Sequence, residues 1–216
     1  MKRQQKIWAE FLGSAFLLLA VVGSGIMGES LAQGNAAVAL LANSLATGAA
    51  LFVLIQALGS ISGAHFNPVV SVAEALWKRL SPKDLPLYVA AQFLGALVGV
   101  LAAHLLFHQP LLQVSAHARS GVSQGISEGV ATFGLLATIA LAGKKHPEFA
   151  PMAVAAYITG AYWFTSSTSF ANPAVTVARM FTDTFTGIAP SSAPLFVLGQ
   201  LGGMAVAVWA FRKRPL

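Results

Sequence analysis

Two stretches decide the fold: His65-Phe66-Asn67-Pro68-Val69-Val70-Ser71-Val72-Ala73 and Phe170-Ala171-Asn172-Pro173-Ala174-Val175-Thr176-Val177-Ala178. Each sets an asparagine directly before a proline, at the head of a run too short to cross a bilayer. Asparagine is a preferred helix N-cap, and proline fits the first helical position because the N–H it lacks has no intrahelical acceptor there. The phrases therefore predict two half-helices, near 67–79 and 172–183. One such phrase is as readily a simple cap. Two at matching places in the halves of a membrane chain point to a permeation site near the midplane, built from helix N-termini that carry partial positive charge.

The rest of the chain supplies the membrane. Of its 216 residues 56% are apolar and only 9% charged, far from the balance of a soluble domain. A membrane helix needs about 20 mostly apolar residues. Six stretches qualify, roughly 7–27, 36–58, 85–107, 124–143, 149–167 and 192–211. Ser81-Pro82-Lys83-Asp84 reads as the capped start of the third and Ser191-Ser192 as that of the sixth, while Gly143 with Lys144-Lys145 closes the fourth. Met1-Lys2-Arg3-Gln4-Gln5-Lys6 before an apolar run mimics a secretory leader, but Glu10 interrupts that run and no clear cleavage site follows, so a retained first span is expected.

The net charge of +6 is a topology signal and not a nucleic-acid surface. Lys2, Arg3, Lys6, Lys78, Arg79, Lys83, Lys144, Lys145, Arg212, Lys213 and Arg214 fall in the termini and the even-numbered connections. The odd connections hold essentially Arg119. The positive-inside rule then puts both termini in the cytoplasm of a multi-pass protein of the inner or plasma membrane. The absence of cysteine excludes disulfides, thiolate metal sites and thiol chemistry. His104, His108, His117 and His146 show no metal-ligand spacing, so no metal site and no cofactor are expected. Gly23-Ser24-Gly25-Ile26-Met27-Gly28 fits a dinucleotide fingerprint formally, but no strand precedes it and it is rejected.

The halves repeat, about 1–110 against 120–216, within a single domain. Trp8-Ala9-Glu10-Phe11-Leu12-Gly13 matches Ile126-Ser127-Glu128-Gly129-Val130-Ala131, and Ala91-Gln92-Phe93-Leu94-Gly95-Ala96 matches Gly199-Gln200-Leu201-Gly202-Gly203-Met204. Three spans per half invert the second copy relative to the first. Glu10 and Glu128 are embedded carboxylates with two competing roles, a proton relay or acceptors for the backbone N–H groups of the loops before Asn67 and Asn172. Gly95 to Gly99 and Gly199 to Gly203 allow close helix packing.

On its paired boxes, Asn67-Pro68-Val69 and Asn172-Pro173-Ala174, its inverted repeat and its two glutamates, the chain resembles the aquaporins, or major intrinsic proteins, whose mark is a pair of Asn-Pro-Ala boxes in re-entrant loops. The resemblance implies an all-α membrane protein of six tilted helices and two half-helices, a homotetramer with one pore per subunit, no enzymatic turnover, and scaffolding carboxylates. It also implies where the outer constriction lies. The family's arginine after the second box is replaced by Val175, and spacing from the boxes gives Thr47, Gly160 and Ser169 as the other positions. Small side chains there predict an opening wider than a water filter. Arg179 follows Val175 by four residues, on the same helix face; it either stands at the outer vestibule or pairs with Asp183. His65, in the first loop, is a pore-loop residue or a packing residue.

The expected function is a passive channel for small uncharged solutes: glycerol-like polyols, neutral metalloid acids such as arsenous acid, and water. Bacterial aquaporins with valine in this place are linked with arsenic handling. The alternatives are a water-selective aquaporin and, more distantly, an ion-coupled secondary transporter.

Overall fold

The computed structural model describes residues 1–145 and 147–212. Eight α-helices follow one another among them: α1 (Arg3–Leu31), α2 (Ala36–Ser62), α3 (Pro68–Leu76), α4 (Leu85–Leu106), α5 (Val122–Lys145), α6 (Ala150–Phe164), α7 (Pro173–Ala178) and α8 (Ala193–Phe211). Helices α3 and α7 are the half-helices, of nine and six residues. Five of the others are long and apolar enough to cross a membrane. Helix α6 has 15 residues, about 22 Å of rise, less than the ~30 Å hydrocarbon core. A 3-10 turn at Pro147–Phe149 precedes it, and the chain runs on from Thr165 in extended form. The fifth span is thus a shorter helix than the expected 149–167.

Several boundaries differ from expectation for local reasons. Ser81-Pro82 does not open the third span; residues 82–84 form a turn and the helix starts at Leu85, with Pro86 in its first turn. Ser192 does stand before α8, but its hydroxyl makes no helix cap and accepts instead from the Arg119 backbone N–H at 3.1 Å. Helix α7 tightens into a 3-10 turn over Arg179–Phe181. His146, Lys213 and Arg214 lie outside the described residues.

The inverted repeat governs the packing. Helix α1 packs on α4 and on α2 as α5 packs on α8 and on α6. The α1–α4 and α5–α8 crossings are close because of glycine: a Cβ at Gly95 or Gly99 would collide with the carbonyl oxygens of Phe11 or Ala15, and one at Gly199 or Gly203 with those of Gly125 or Gly129. The Gly23 to Gly28 stretch is helix inside α1, with its three glycines buried and Gly28 against the Ala39 backbone of α2. Two apolar clusters, one around Leu18, Val22, Val100 and Phe196, the other around Ala73, Leu136, Tyr162 and Ala207, hold the half-helices between the long ones.

Candidate functional site

Each half-helix begins as its sequence dictates. Asn67 and Asn172 are the N-caps, both extended, with Pro68 and Pro173 in the first turn. Asn67 Oδ1 accepts from the Val69 N–H at 3.1 Å; Asn172 Oδ1 accepts from Ala174 and Val175 at 2.9 and 3.3 Å. The amide nitrogens then reach across the repeat. Asn67 Nδ2 donates to the Ala171 carbonyl and Asn172 Nδ2 to the Phe66 carbonyl, each at 2.8 Å. An amide nitrogen carries two hydrogens, so each asparagine keeps one more donor. Both asparagines line the same cavity.

The loops ahead of the asparagines are held in an unusual backbone. Residues three and one before each asparagine have positive φ: Ala64 (52°) and Phe66 (49°), then Ser169 (50°) and Ala171 (48°). None is glycine, so the left-handed conformation costs about 1–2 kcal/mol at each. The buried carboxylates offset this. Glu10 accepts from the His65 and Phe66 N–H groups at 3.0 and 2.7 Å, from Ser62 Oγ at 2.6 Å and from Gln92 Nε2 at 2.8 Å. Glu128 accepts from the Phe170 and Ala171 N–H groups at 2.9 and 2.8 Å and from Gln200 Nε2 at 2.6 Å. Each glutamine nitrogen also donates to the hydroxyl of the adjoining half-helix, Ser71 or Thr176, at 2.8 Å. The Glu-Gln-hydroxyl unit thus recurs in both halves.

The cavity, about 510 Å³, is lined by stripes at four-residue spacing: Leu17 and Val21 of α1, Thr47, Leu51 and Ile55 of α2, Leu135 and Ile139 of α5, and Ala150, Val154, Ile158 and Tyr162 of α6. At one end stand Glu74 and Arg79, ion-paired at 3.1 Å. His65 lines it too, its Nδ1 3.0 Å from Ser71 Oγ.

Around the positions expected for the constriction the structure departs from the spacing. Thr47, Ser169 and Val175 line the cavity, but Gly160 is not among its lining residues. The stripe of α6 passes through Ile158 and Tyr162, and Gly160 is two residues, about 200° of helix, from either. Tyr162 stands there instead, its Oη 3.2 Å from Thr47 Oγ1. At this point the side chain that faces the cavity is the aromatic Tyr162 and not the position of Gly160.

Arg179 lines the cavity and is 2% exposed. The pairing with Asp183 does not form; Asp183 accepts from the Ala116 N–H at 2.8 Å, while Arg179 Nε donates to the Thr186 carbonyl. Its guanidinium lies 3.5 Å from the centre of the Phe170 ring.

Arg119 was legible only as a topology cation. It ties the α4–α5 connection to the loops around the site, with Nε donating to the Gly187 carbonyl at 2.8 Å, Nη2 to that of Phe185 at 3.3 Å, and Nη1 to Thr168 Oγ1 at 3.4 Å. Burial pulls its pKa below the usual guanidinium range. Its one sequence signal was being a single cation in an otherwise uncharged connection.

The family model described as Major intrinsic protein matches residues 1–165. The chain belongs to the major intrinsic protein family. Aquaglyceroporin AqpS of Rhizobium meliloti (strain 1021) is 52% identical over 204 residues, covering 94% of this chain and 87% of that one. Aquaporin NIP1-1 of Oryza sativa subsp. japonica is 31% identical over 225 residues, with 98% and 76% covered. The X-ray structure of the aquaglyceroporin from Plasmodium falciparum shares the fold, with a TM-score of 0.76 at 23% identity, covering 98% of this chain and 96% of that one. The family is one of channels, so this all-α chain is a multi-pass membrane channel and not an enzyme.

Proposed function

We propose that the chain is a passive channel for small uncharged hydroxylated solutes, glycerol-like polyols and neutral metalloid acids such as arsenous acid, with water passing as well. The observation that carries this reading is one cavity that runs past both asparagine amides and is otherwise lined mainly by apolar stripes. The amides donate to a solute oxygen, and the positive helix ends above and below repel cations, hydronium included. The likeness to an aquaglyceroporin at 52% identity supports the polyol class. Glu10 and Glu128 act as scaffold: their oxygens are taken by backbone and side-chain donors, which argues against a proton relay and hence against a coupled transporter. The assembly is a homotetramer in the plasma membrane with both termini in the cytoplasm.

Tyr162 supports a rival, the water-selective aquaporin, because it narrows the mouth that Thr47 and Gly160 alone would leave open. A panel of water, glycerol, urea and arsenous acid in proteoliposomes separates the two. Glycerol or arsenous acid entry well above that of empty vesicles is the expected result; fast water flow with neither solute entering overturns the proposal.

A further inference from the structure

We propose that the outer constriction is closed by Tyr162 and Arg179, which supply an aromatic and a guanidinium from positions displaced from Gly160 and Val175, with Phe170 as the residue that positions the guanidinium. This rests on the channel reading above and names the residues that set its size limit and charge exclusion.

Tyr162 is 4% exposed and Thr47 3%, and their hydroxyls are hydrogen-bonded to each other while both residues face the cavity. The ring is therefore fixed against α2. Arg179 follows Val175 by about 6 Å of helical rise, at the point where α7 tightens into a 3-10 turn. Of its five N–H donors, only Nε is engaged by the protein among the described residues, at the Thr186 carbonyl. The terminal nitrogens are left for whatever passes.

What holds this cation is equally informative. Arg179 takes part in no ion pair among the described residues. It lies instead over Phe170, whose ring packs edge-on against Phe196 with centroids 5.0 Å apart. An aromatic face attracts a guanidinium through its quadrupole without neutralising it. A carboxylate in the same place would cancel the charge. The aromatic seat thus keeps a positive charge at the lumen, where it rejects cations. A passing solute meets the guanidinium donors together with the Val175 side chain and the Tyr162 ring. Such a ring admits a neutral molecule with a polar edge and an apolar edge, the shape of a small polyol.

The test uses the full chain in proteoliposomes, comparing glycerol with the larger erythritol and measuring passive proton leak under an imposed pH difference. Arg179→Ala is expected to raise erythritol entry relative to glycerol several-fold and to open a proton leak. Arg179→Ala combined with Val175→Arg returns a guanidinium one turn along and is expected to reverse both, which a loss of the Thr186 tie alone would not allow. Tyr162→Ala is expected to raise the erythritol ratio, and Phe170→Leu to raise the leak. Erythritol ratios unchanged in both Arg179→Ala and Tyr162→Ala overturn the proposal. Should Arg179→Ala fail to fold, Tyr162→Ala and Phe170→Leu decide it: an unchanged ratio and an unchanged leak overturn it. Failure of the channel reading is recognisable separately, as glycerol entry through the unmodified chain no faster than through empty vesicles.

Discussion

Glu128 is the residue on which the second re-entrant loop depends. It is fully buried, and alanine in its place strips Phe170 N and Ala171 N of their acceptor and Gln200 Nε2 of one of its two. A buried donor left unsatisfied costs about 1–3 kcal/mol, and the left-handed turns at Ser169 and Ala171 lose their support as well. Glu128→Ala, and Glu10→Ala by symmetry, are expected to lose several kcal/mol of stability, read as a lowered melting temperature in detergent; an unchanged melt would remove the carboxylates from this role. At this scale the sequence was partly legible. Asn-Pro announces a cap whatever surrounds it, and the paired glutamates stand out in an apolar chain. The positive φ angles did not show, because Ala64, Phe66, Ser169 and Ala171 are residue types that rarely adopt them. Tyr162 was hidden for another reason. Counting back from the second box fixes a position along the chain, but not the face of α6 that meets the cavity, and a two-residue difference turns that face away.

Among the elements, the helix pairs depend on missing side chains. Gly95→Val and Gly199→Val push a Cβ into the carbonyl oxygens of Phe11 and Gly125, forcing α1 from α4 and α5 from α8. Both are expected to lower the yield of folded protein sharply on size-exclusion chromatography. Gly202→Ala, where no atom lies within 4 Å of the added Cβ, is expected to fold as well as the parent. The spacing of these glycines was visible beforehand, and so were the spans, since length and hydropathy suffice for helices in lipid. Helix ends were less so. Ser81-Pro82 has the composition of a cap but serves a turn, and α6 is short because its C-terminal end unwinds into the loop that carries Ser169 and Phe170.

For the whole molecule, the inverted repeat was the most legible feature, because three separated signals recur in the same order. It organises charge as well as fold. One end of the cavity holds the Glu74–Arg79 pair, formally neutral, while Arg179 lines it elsewhere with no ion pair among the described residues. A channel with this lining and no coupling carboxylate free in its lumen is expected to conduct neutral solutes at a rate unaffected by membrane voltage or an imposed proton gradient. Stopped-flow uptake in vesicles with and without a potential checks this, and acceleration by either would favour a coupled transporter. With no cysteine in the chain, mercurial thiol reagents are expected to leave the flux unchanged.

The reciprocal bonds from Asn67 to Ala171 and from Asn172 to Phe66 bear on how the protein is made. Each asparagine amide takes its carbonyl from the other half of the chain, so the first half emerging from the ribosome carries an Asn67 amide still without that acceptor. The two halves therefore lend each other stability at their meeting point, and a chain interrupted before residue 171 leaves the first loop without that cross-brace.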